Sequence, residues 1–240
     1  MIKNQRLDEI LSILRQQHYV TVAELSERLY ASPATIRRDI VQLEKSQLIE
    51  KSYGGITLAE GHNRFVELEQ RTLTHRSEKL RIGREAAALV QSGDAIFLDA
   101  SSTVLSMLPF LTQKNLTVIT NSLRVAEHMG QSGARVFSTG GQLQENSMSF
   151  GGSIAERIIR SFHADKLFFS AAGVNRDGVI SDFYEDDIAV RQAMIACSSA
   201  QYFLCDASKF GNNYLFRIAN VKQLTRVISD EPLTFSDAET

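Results

Sequence analysis

Ser32-Pro33-Ala34-Thr35-Ile36-Arg37-Arg38-Asp39-Ile40-Val41-Gln42-Leu43-Glu44-Lys45 opens with a helix start and then divides into two faces. Ser32 suits an N-cap because its hydroxyl accepts from the free amides of a first turn, and Pro33 suits the first helical position, where its missing N–H costs nothing. At roughly 100° per residue, Ile36, Ile40 and Leu43 gather on one side, which must face a core. The other side carries Ala34, Arg38, Val41, Gln42 and Lys45, with Thr35 and Arg37 along its edges.

Upstream, Leu7, Ile10, Leu11 and Leu14 recur as one stripe of a helix from Gln5 to Gln17. Thr21 is suited to cap a second helix whose inward residues are Val22, Leu25 and Leu29. Downstream, residues 48–58 alternate and contain Gly54-Gly55, the pattern of a two-stranded ribbon bending near the glycine pair. Three short helices and a ribbon make a winged helix-turn-helix. In that motif the start of the second motif helix enters the major groove, where Arg pairs with guanine and small side chains meet a thymine methyl. Arg38 is the base-reading candidate, with Ala34 beside it, while Thr35 and Arg37 are placed to hold phosphates and fix register, and Ser32 at the cap is a further DNA-binding candidate. The alternative is a solvated Arg pair on an ordinary three-helix domain.

The 240 residues, 43% of them hydrophobic, are enough for two cores. Charge is nearly balanced, 26 basic against 28 acidic residues, so the overall composition demands neither a polyanionic partner nor an anionic membrane. Cys197 and Cys205 fit no metal-ligand or redox spacing and read as buried, reduced thiols. No apolar run approaches the roughly 18 residues of a membrane span, and the N-terminus leads into an amphipathic helix, so the expected location is the cytoplasm.

From Ser77 onward a helix through Leu80, Ile82, Ala86, Leu89 and Val90 is followed by strand candidates at 95–99, 116–120, 134–139, 166–172, 201–206 and 226–230, separated by helical runs. That alternation implies parallel β-α-β units with helices on both faces of a sheet. Asp99-Ala100-Ser101-Ser102-Thr103 ends the first of these strands and opens a helix through Leu111, a natural anion site. The next strand ends in Thr120-Asn121-Ser122 and the third in Gly140-Gly141, which suggests one crevice at the carboxyl edge of the sheet. A serine-rich cap that binds nothing is the competing reading.

Arg6, Ile10, Leu14, Ser32, Thr35, Ile36, Arg37, Arg38, Asp39 and Ile40, at these separations, resemble the helix-turn-helix of the bacterial DeoR family of transcriptional regulators. Lys51-Ser52-Tyr53-Gly54-Gly55 resembles the family's wing, which makes Lys51 and Tyr53 further DNA-contact candidates; a Tyr that packs the wing is the alternative. The sensor stretches, with Asp206-Ala207-Ser208-Lys209-Phe210-Gly211, resemble the family's effector domain, whose fold is related to ribose-5-phosphate isomerase. The resemblance implies an α/β architecture: a winged helix-turn-helix domain over 1–58, a linker over 59–75 and a mostly parallel α/β effector domain over 76–240. It implies a sugar-phosphate ligand, with Ser101, Ser102 and Thr103 around the phosphate and Asp99, Asp206 and Lys209 at the sugar end. Around Glu185-Asp186-Asp187 and Arg191 the family tends to have Glu and then Lys; any of the three acidic residues can take the Glu position, and Asp187 and Arg191 are carried as effector-site candidates. Ser101 replaces the family's usual glycine, and the chain is expected to lack a final helix and strand of its relatives.

The function so implied is a repressor of a carbohydrate-utilisation operon, binding an inverted-repeat operator as a dimer or tetramer and controlled by a phosphorylated sugar, with no cofactor. Two alternatives stand beside it: a sugar-phosphate isomerase carrying a DNA-binding module, and an architectural DNA-binding protein. Fold relationship is weak support for the first, and the polar strand ends have no purpose in the second.

Overall fold

The computed structural model of the chain describes residues 3–17, 19–45, 49–52, 55–58, 68–112, 115–145, 147–183 and 185–236. The chain forms two units, residues 1–66 and 67–240.

The first unit runs α1 (Lys3–Gln17), β1 (Tyr19–Thr21), α2 (Val22–Arg28), α3 (Pro33–Lys45), β2 (Ile49–Ser52) and β3 (Gly55–Leu58). Thr21 starts α2 through a reciprocal capping box: its Oγ1 accepts from the Glu24 amide at 3.2 Å, and the Glu24 carboxylate accepts from the Thr21 amide at 2.8 Å. Ser32 starts α3 by accepting from the Thr35 amide at 3.2 Å. The expected stripes meet in one core of Leu7, Ile10, Leu14, Leu25, Leu29, Ile36, Ile40 and Leu43. Val22, in the first turn of α2, is only half-buried against that core.

The sequence reading has no counterpart of β1, because three residues are too few for alternation to register. β1 pairs antiparallel with β3, so the wing is a three-stranded sheet in the order β1-β3-β2. Gly55 sits inside β3 opposite Thr21, and a Cβ there would come within 2.5 Å of the Val20 carbonyl. The second glycine of the pair thus lets β1 approach; Leu48, Tyr53 and Gly54 lie outside the described residues.

The second unit opens with α4 (Leu68–Leu73) and α5 (Arg76–Ala88). The stretch read as a linker therefore includes a helix, anchored by the buried side chain of Leu68. The unit continues as β4 (Ala95–Leu98), α6 (Ser102–Leu105), β5 (Thr117–Thr120), α7 (Leu123–Gln131), β6 (Arg135–Ser138), β7 (Gln142–Gln144), β8 (Ser149–Gly151) and α8 (Gly152–Ile159). β9 (Ala164–Phe169), β10 (Gly173–Val174), β11 (Val179–Asp182), α9 (Glu185–Ala196), β12 (Ser198–Cys205), β13 (Phe216–Asn220) and β14 (Arg226–Ser229) complete it.

Six of these strands form a parallel sheet in the order β14-β12-β9-β4-β5-β6, and they are the six read from the sequence. Successive side chains point to opposite faces. Phe97, Leu167 and Phe169 pack with Ile159, Val190 and Met194 of α8 and α9, while Ile96, Leu98 and Phe168 pack with Ile82, Ala86, Val125 and Met129 of α5 and α7. The chain steps outward through β4, β5 and β6, then returns to build β9, β12 and β14 on the other side. The switch point, where open α/β sheets bind ligands, thus lies between β4 and β9.

Several local expectations are corrected. α6 stops after Leu105 rather than Leu111, because Pro109 has no amide hydrogen to donate back to Leu105. β9 ends at Phe169, which leaves Ser170 beyond the strand. On α5, Leu80 is exposed and Lys79 is buried. Cys205 is buried, and burial pushes its thiol up to about 12, but Cys197 is only half-buried. The hairpin β7-β8 and the antiparallel sheet β10-β11-β13 have no counterpart in the sequence reading, since their short strands alternate too little. Among the described residues no helix is long and apolar enough to cross a membrane.

Candidate functional site

On α3, Ala34, Arg37, Arg38, Val41 and Gln42 are exposed, and Ile36, Ile40 and Leu43 are buried. Asp39 shares the buried side, where Arg6 of α1 grips it with Nε at 2.5 Å and Nη2 at 3.2 Å. That pair does two things. It joins α1 to α3, and it neutralises the carboxylate on the candidate recognition helix, so the exposed face keeps the positive charge of Arg37 and Arg38. Ser32 and Thr35 bond each other, hydroxyl to hydroxyl, at 2.9 Å beside the first turn. Lys51 of β2 is not a free wing cation, since it forms an ion pair with Glu44 of α3. Tyr53 lies outside the described residues.

In the second unit the polar ends of β4, β9 and β12 converge at the switch point. Asp99 is fully buried: Oδ1 accepts from the Ser101 amide at 2.9 Å, and Oδ2 accepts from the Ser170 amide at 3.2 Å and from Arg191 Nε at 3.0 Å. Arg191 reaches on through Nη1 to Asp182 at 3.0 Å. Burial works against its charge, but Asp182, Asp99 and Asp187 outweigh it and hold the guanidinium more basic than usual. Asp187, half-buried beside Arg191, has its carboxyl raised by burial.

Two ammonium groups stand over the loop that follows β4. Lys209 Nζ donates to Ser170 Oγ at 2.8 Å and Thr103 Oγ1 at 3.3 Å, and it lies 3.9 Å from Asp206 Oδ2. Lys79 Nζ donates to Ser102 Oγ at 3.1 Å, and burial followed by repulsion from Lys209 brings it down to about 8. The Asp206 carboxyl is lowered: burial opposes this, and Lys209 with the Ser208 hydroxyl overcomes it. Ser101 adopts ordinary extended backbone and caps α6 by accepting from the Val104 amide at 3.2 Å. A side chain is therefore accommodated where glycine was expected. Because α6 is a single turn, its dipole adds little, and the attraction for an anion comes mainly from Lys79 and Lys209.

The other strand ends mostly build structure. Ser122 caps α7 by accepting from the Val125 amide, and Gly140 and Gly141, both at positive φ, turn the chain from β6 toward the hairpin. A Cβ on Gly141 would come within 2.5 Å of the Gly151 carbonyl. Among the described residues no hydrogen bond joins Ser122, Gly140 or Gly141 to the cations. Asn121 donates to the Phe150 carbonyl at 3.3 Å, while its Oδ1 is buried with no partner. An open groove of about 500 Å³ past Leu68, Thr72, Leu105 and His128 includes none of the charged cluster. Donors rather than apolar volume are what an anion requires, so the cluster is the better candidate.

Sequence reasoning missed Lys79, Ser170 and Asp182. Lys79 had a readable sign, since it occupies the apolar stripe of α5 with Ile82, Gly83 and Ala86. Ser170 was hidden inside an over-long strand.

A winged DNA-reading unit joined to an α/β unit with a cation-lined switch point defines a DNA-binding transcription regulator with a sensor domain. The DeoR-like helix-turn-helix domain matches residues 6–61, and the DeoR C terminal sensor domain matches residues 74–231. The chain belongs to the DeoR family of transcriptional regulators and is a regulator rather than an enzyme. Its relatives include the regulator YulB of Bacillus subtilis, 36% identical over 97% of this chain and 91% of that protein. The repressor GlcR of the same organism is 33% identical, covering 96% of this chain and 89% of that protein. The glycerol-3-phosphate regulon repressor of Escherichia coli is 30% identical, with coverages of 97% and 92%. Among solved structures, ribose 5-phosphate isomerase A of Methanocaldococcus jannaschii aligns over 57% of this chain and 55% of its own at 16% identity, with a TM-score of 0.44.

Proposed function

We propose that this protein is a cytoplasmic repressor of a carbohydrate-utilisation operon, with residues 1–58 binding the operator and the second unit, from residue 67 onward, binding a phosphorylated sugar. The observation that carries the effector reading is the pair of ammonium groups, Lys79 and Lys209, bonded to the hydroxyls of Ser102 and Thr103. Positive charge and hydroxyl donors gathered at a sheet's switch point suit a phosphate. The buried Asp206 Oδ2, with no hydrogen-bond partner, is an acceptor for a sugar hydroxyl. The repressor reading is supported by relatives named as repressors, among them the lactose phosphotransferase system repressor of Streptococcus mutans at 31% identity.

Calorimetry with matched pairs, glucose against glucose 6-phosphate and ribose against ribose 5-phosphate, tests the effector. A phosphorylated form binds and its free sugar does not; equal affinity for both members of each pair overturns the reading. Lys209→Ala and Thr103→Val lose the effector's influence on operator binding, a coupling of about 1–3 kcal/mol in typical cases.

On DNA, Arg38 reads a base edge and Arg37 a phosphate. Arg38→Ala therefore relaxes preference at one base pair at a cost of about 1–3 kcal/mol. Arg37→Ala weakens all sequences alike and reduces the salt slope. Unchanged specificity of Arg38→Ala in binding-site selection contradicts this face assignment. One recognition helix per chain reads few bases, so a homo-oligomer bound to an inverted repeat is proposed, its half-sites about one helical turn or a multiple apart. Footprinting that protects a single unrepeated half-site contradicts it.

A further inference from the structure

The turn between α2 and α3 holds a side chain that the fold does not ask for. α2 closes with two main-chain bonds: the Ala31 amide donates to the Ser26 carbonyl at 3.1 Å, and the Tyr30 amide donates to the Glu27 carbonyl at 3.4 Å. With Leu29 as the C-cap, these are the two bonds of a Schellman motif, and Tyr30 takes the place whose backbone is left-handed. Its φ is +50°. Glycine is the usual occupant, because a Cβ in that conformation crowds the following carbonyl oxygen. A bulky residue there is a genuine outlier.

No packing within the unit offsets that strain. Leu29 on one side is buried and Ala31 on the other packs against the core, but Tyr30 between them is 97% exposed. Among the described residues no other large hydrophobic side chain is so exposed, Leu215 following at 72%. A strained backbone that carries a side chain with no contact to hold it points to a use outside the fold. Its place in the chain says which use. Ser32, two residues on, caps α3, and the first turns of α3 are what a helix-turn-helix inserts into the major groove. The turn that delivers them stands at the lip of that groove, where the sugar-phosphate backbone runs. The exposed charges that α3 brings there, Arg37 and Arg38, are positive, and the Asp39 carboxylate is held by Arg6. A tyrosine hydroxyl is among the donors that hold phosphate oxygens, and its ring has only two torsions to immobilise.

We propose that Tyr30 donates its hydroxyl to a backbone phosphate of the bound DNA, at the edge of the groove that α3 enters, and so helps to fix the register of α3. This rests on the DNA-face reading above. The contact is uncharged and lies on the backbone, which separates it from both arginines. Arg38 is assigned a base edge and changes sequence preference, while Arg37 is assigned a phosphate and releases a counterion on neutralising it. Tyr30 does neither. It strengthens binding to every sequence and leaves the salt dependence unchanged.

The full-length protein, Tyr30→Gly and Tyr30→Phe are titrated by fluorescence anisotropy at several salt concentrations. The probes are the duplex that wild type recovers in binding-site selection and a scrambled duplex of the same composition. Thermal melts are recorded alongside. Tyr30→Gly melts at or above the wild-type temperature, because the strain relieved exceeds the entropy that glycine adds to the unfolded chain. Its affinity for both duplexes falls by about fivefold or more, the loss of one hydrogen bond, and the salt slope stays that of wild type. Tyr30→Phe, which lacks only the hydroxyl, shows most of the same loss. Wild-type affinity in either variant overturns the inference while leaving the DNA face in place. A loss confined to the selected duplex also overturns it, since that marks a base contact, and so does a lowered melting temperature of Tyr30→Gly, which marks a role within the fold. Failure of wild type to bind any duplex overturns the DNA-face reading as well.

Discussion

Asp99→Ala is expected to destabilise the second unit by about 3–5 kcal/mol, the range for removing one partner of a buried ion pair. Three donors converge on this carboxylate: the amides of Ser101 and Ser170 and the Arg191 guanidinium. Its removal leaves two buried amides without an acceptor and, among the described residues, Arg191 with Asp182 alone as a direct ion-pair partner. The loss is a large fraction of the roughly 5–15 kcal/mol that keeps a typical domain folded. Urea unfolding followed by circular dichroism measures it. The double variant Asp99→Ala with Arg191→Met is expected to recover part of the loss, because no cation is then left stranded. A single Asp99→Ala variant as stable as wild type would show that the pair holds little of the fold together, and would weaken the view of this cluster as the organising centre of the site.

Arg6→Ala is expected to abolish operator binding although Arg6 is not assigned a DNA contact. Asp39 is almost completely buried and receives both bonds of the fork. Stranding it costs more than the roughly 1–3 kcal/mol of an unsatisfied neutral group, because the group is charged. The first unit is small, and small units have little stability to spare. A second effect compounds the first, since an uncompensated carboxylate on α3 repels the phosphates that Arg37 and Arg38 attract. Asp39→Asn in the Arg6→Ala background removes the charge and should restore part of the binding. The measurements are a gel shift with operator and a thermal melt. Wild-type operator affinity in Arg6→Ala would mean that the pair is ornamental.

What could be read from the residues alone was local. The start of α3 was visible in Ser32-Pro33, that of α2 in Thr21, and the core faces in the spacing of Leu7, Ile10, Leu14, Ile36, Ile40 and Leu43, because caps and helical periods are properties of a few adjacent positions. The six parallel strands were visible for the same reason, each being a short β-prone run set between helical runs. β1 was not, nor the hairpin β7-β8, since two or three residues carry no period. The wing cation Lys51 was named from its position in the chain, but its pairing with Glu44 depends on how β2 lies against α3.

The site divides along the same line. Asp99, Ser101, Ser102, Thr103, Asp206 and Lys209 were identifiable because polar residues at the ends of buried strands stand out in sequence and the family resemblance covers them. Their partners did not stand out. Asp99 meets Arg191 across 92 residues and Thr103 meets Lys209 across 106, and each meeting requires the sheet order that places β9 between β4 and β12. Lys79 was missed because a cation on an apolar stripe means nothing until it is known what the helix faces. Sequence by itself determined the two domain types, the candidate recognition helix and the candidate anion loop, all set by short-range chemistry. Tertiary structure alone decided that Ser122, Gly140 and Gly141 serve turns and caps, that α6 is only a single turn, and that Lys79 and Lys209 are the cations beside the candidate anion loop. Those are long-range facts, because a buried charge is tolerable only where distant segments bring it a partner.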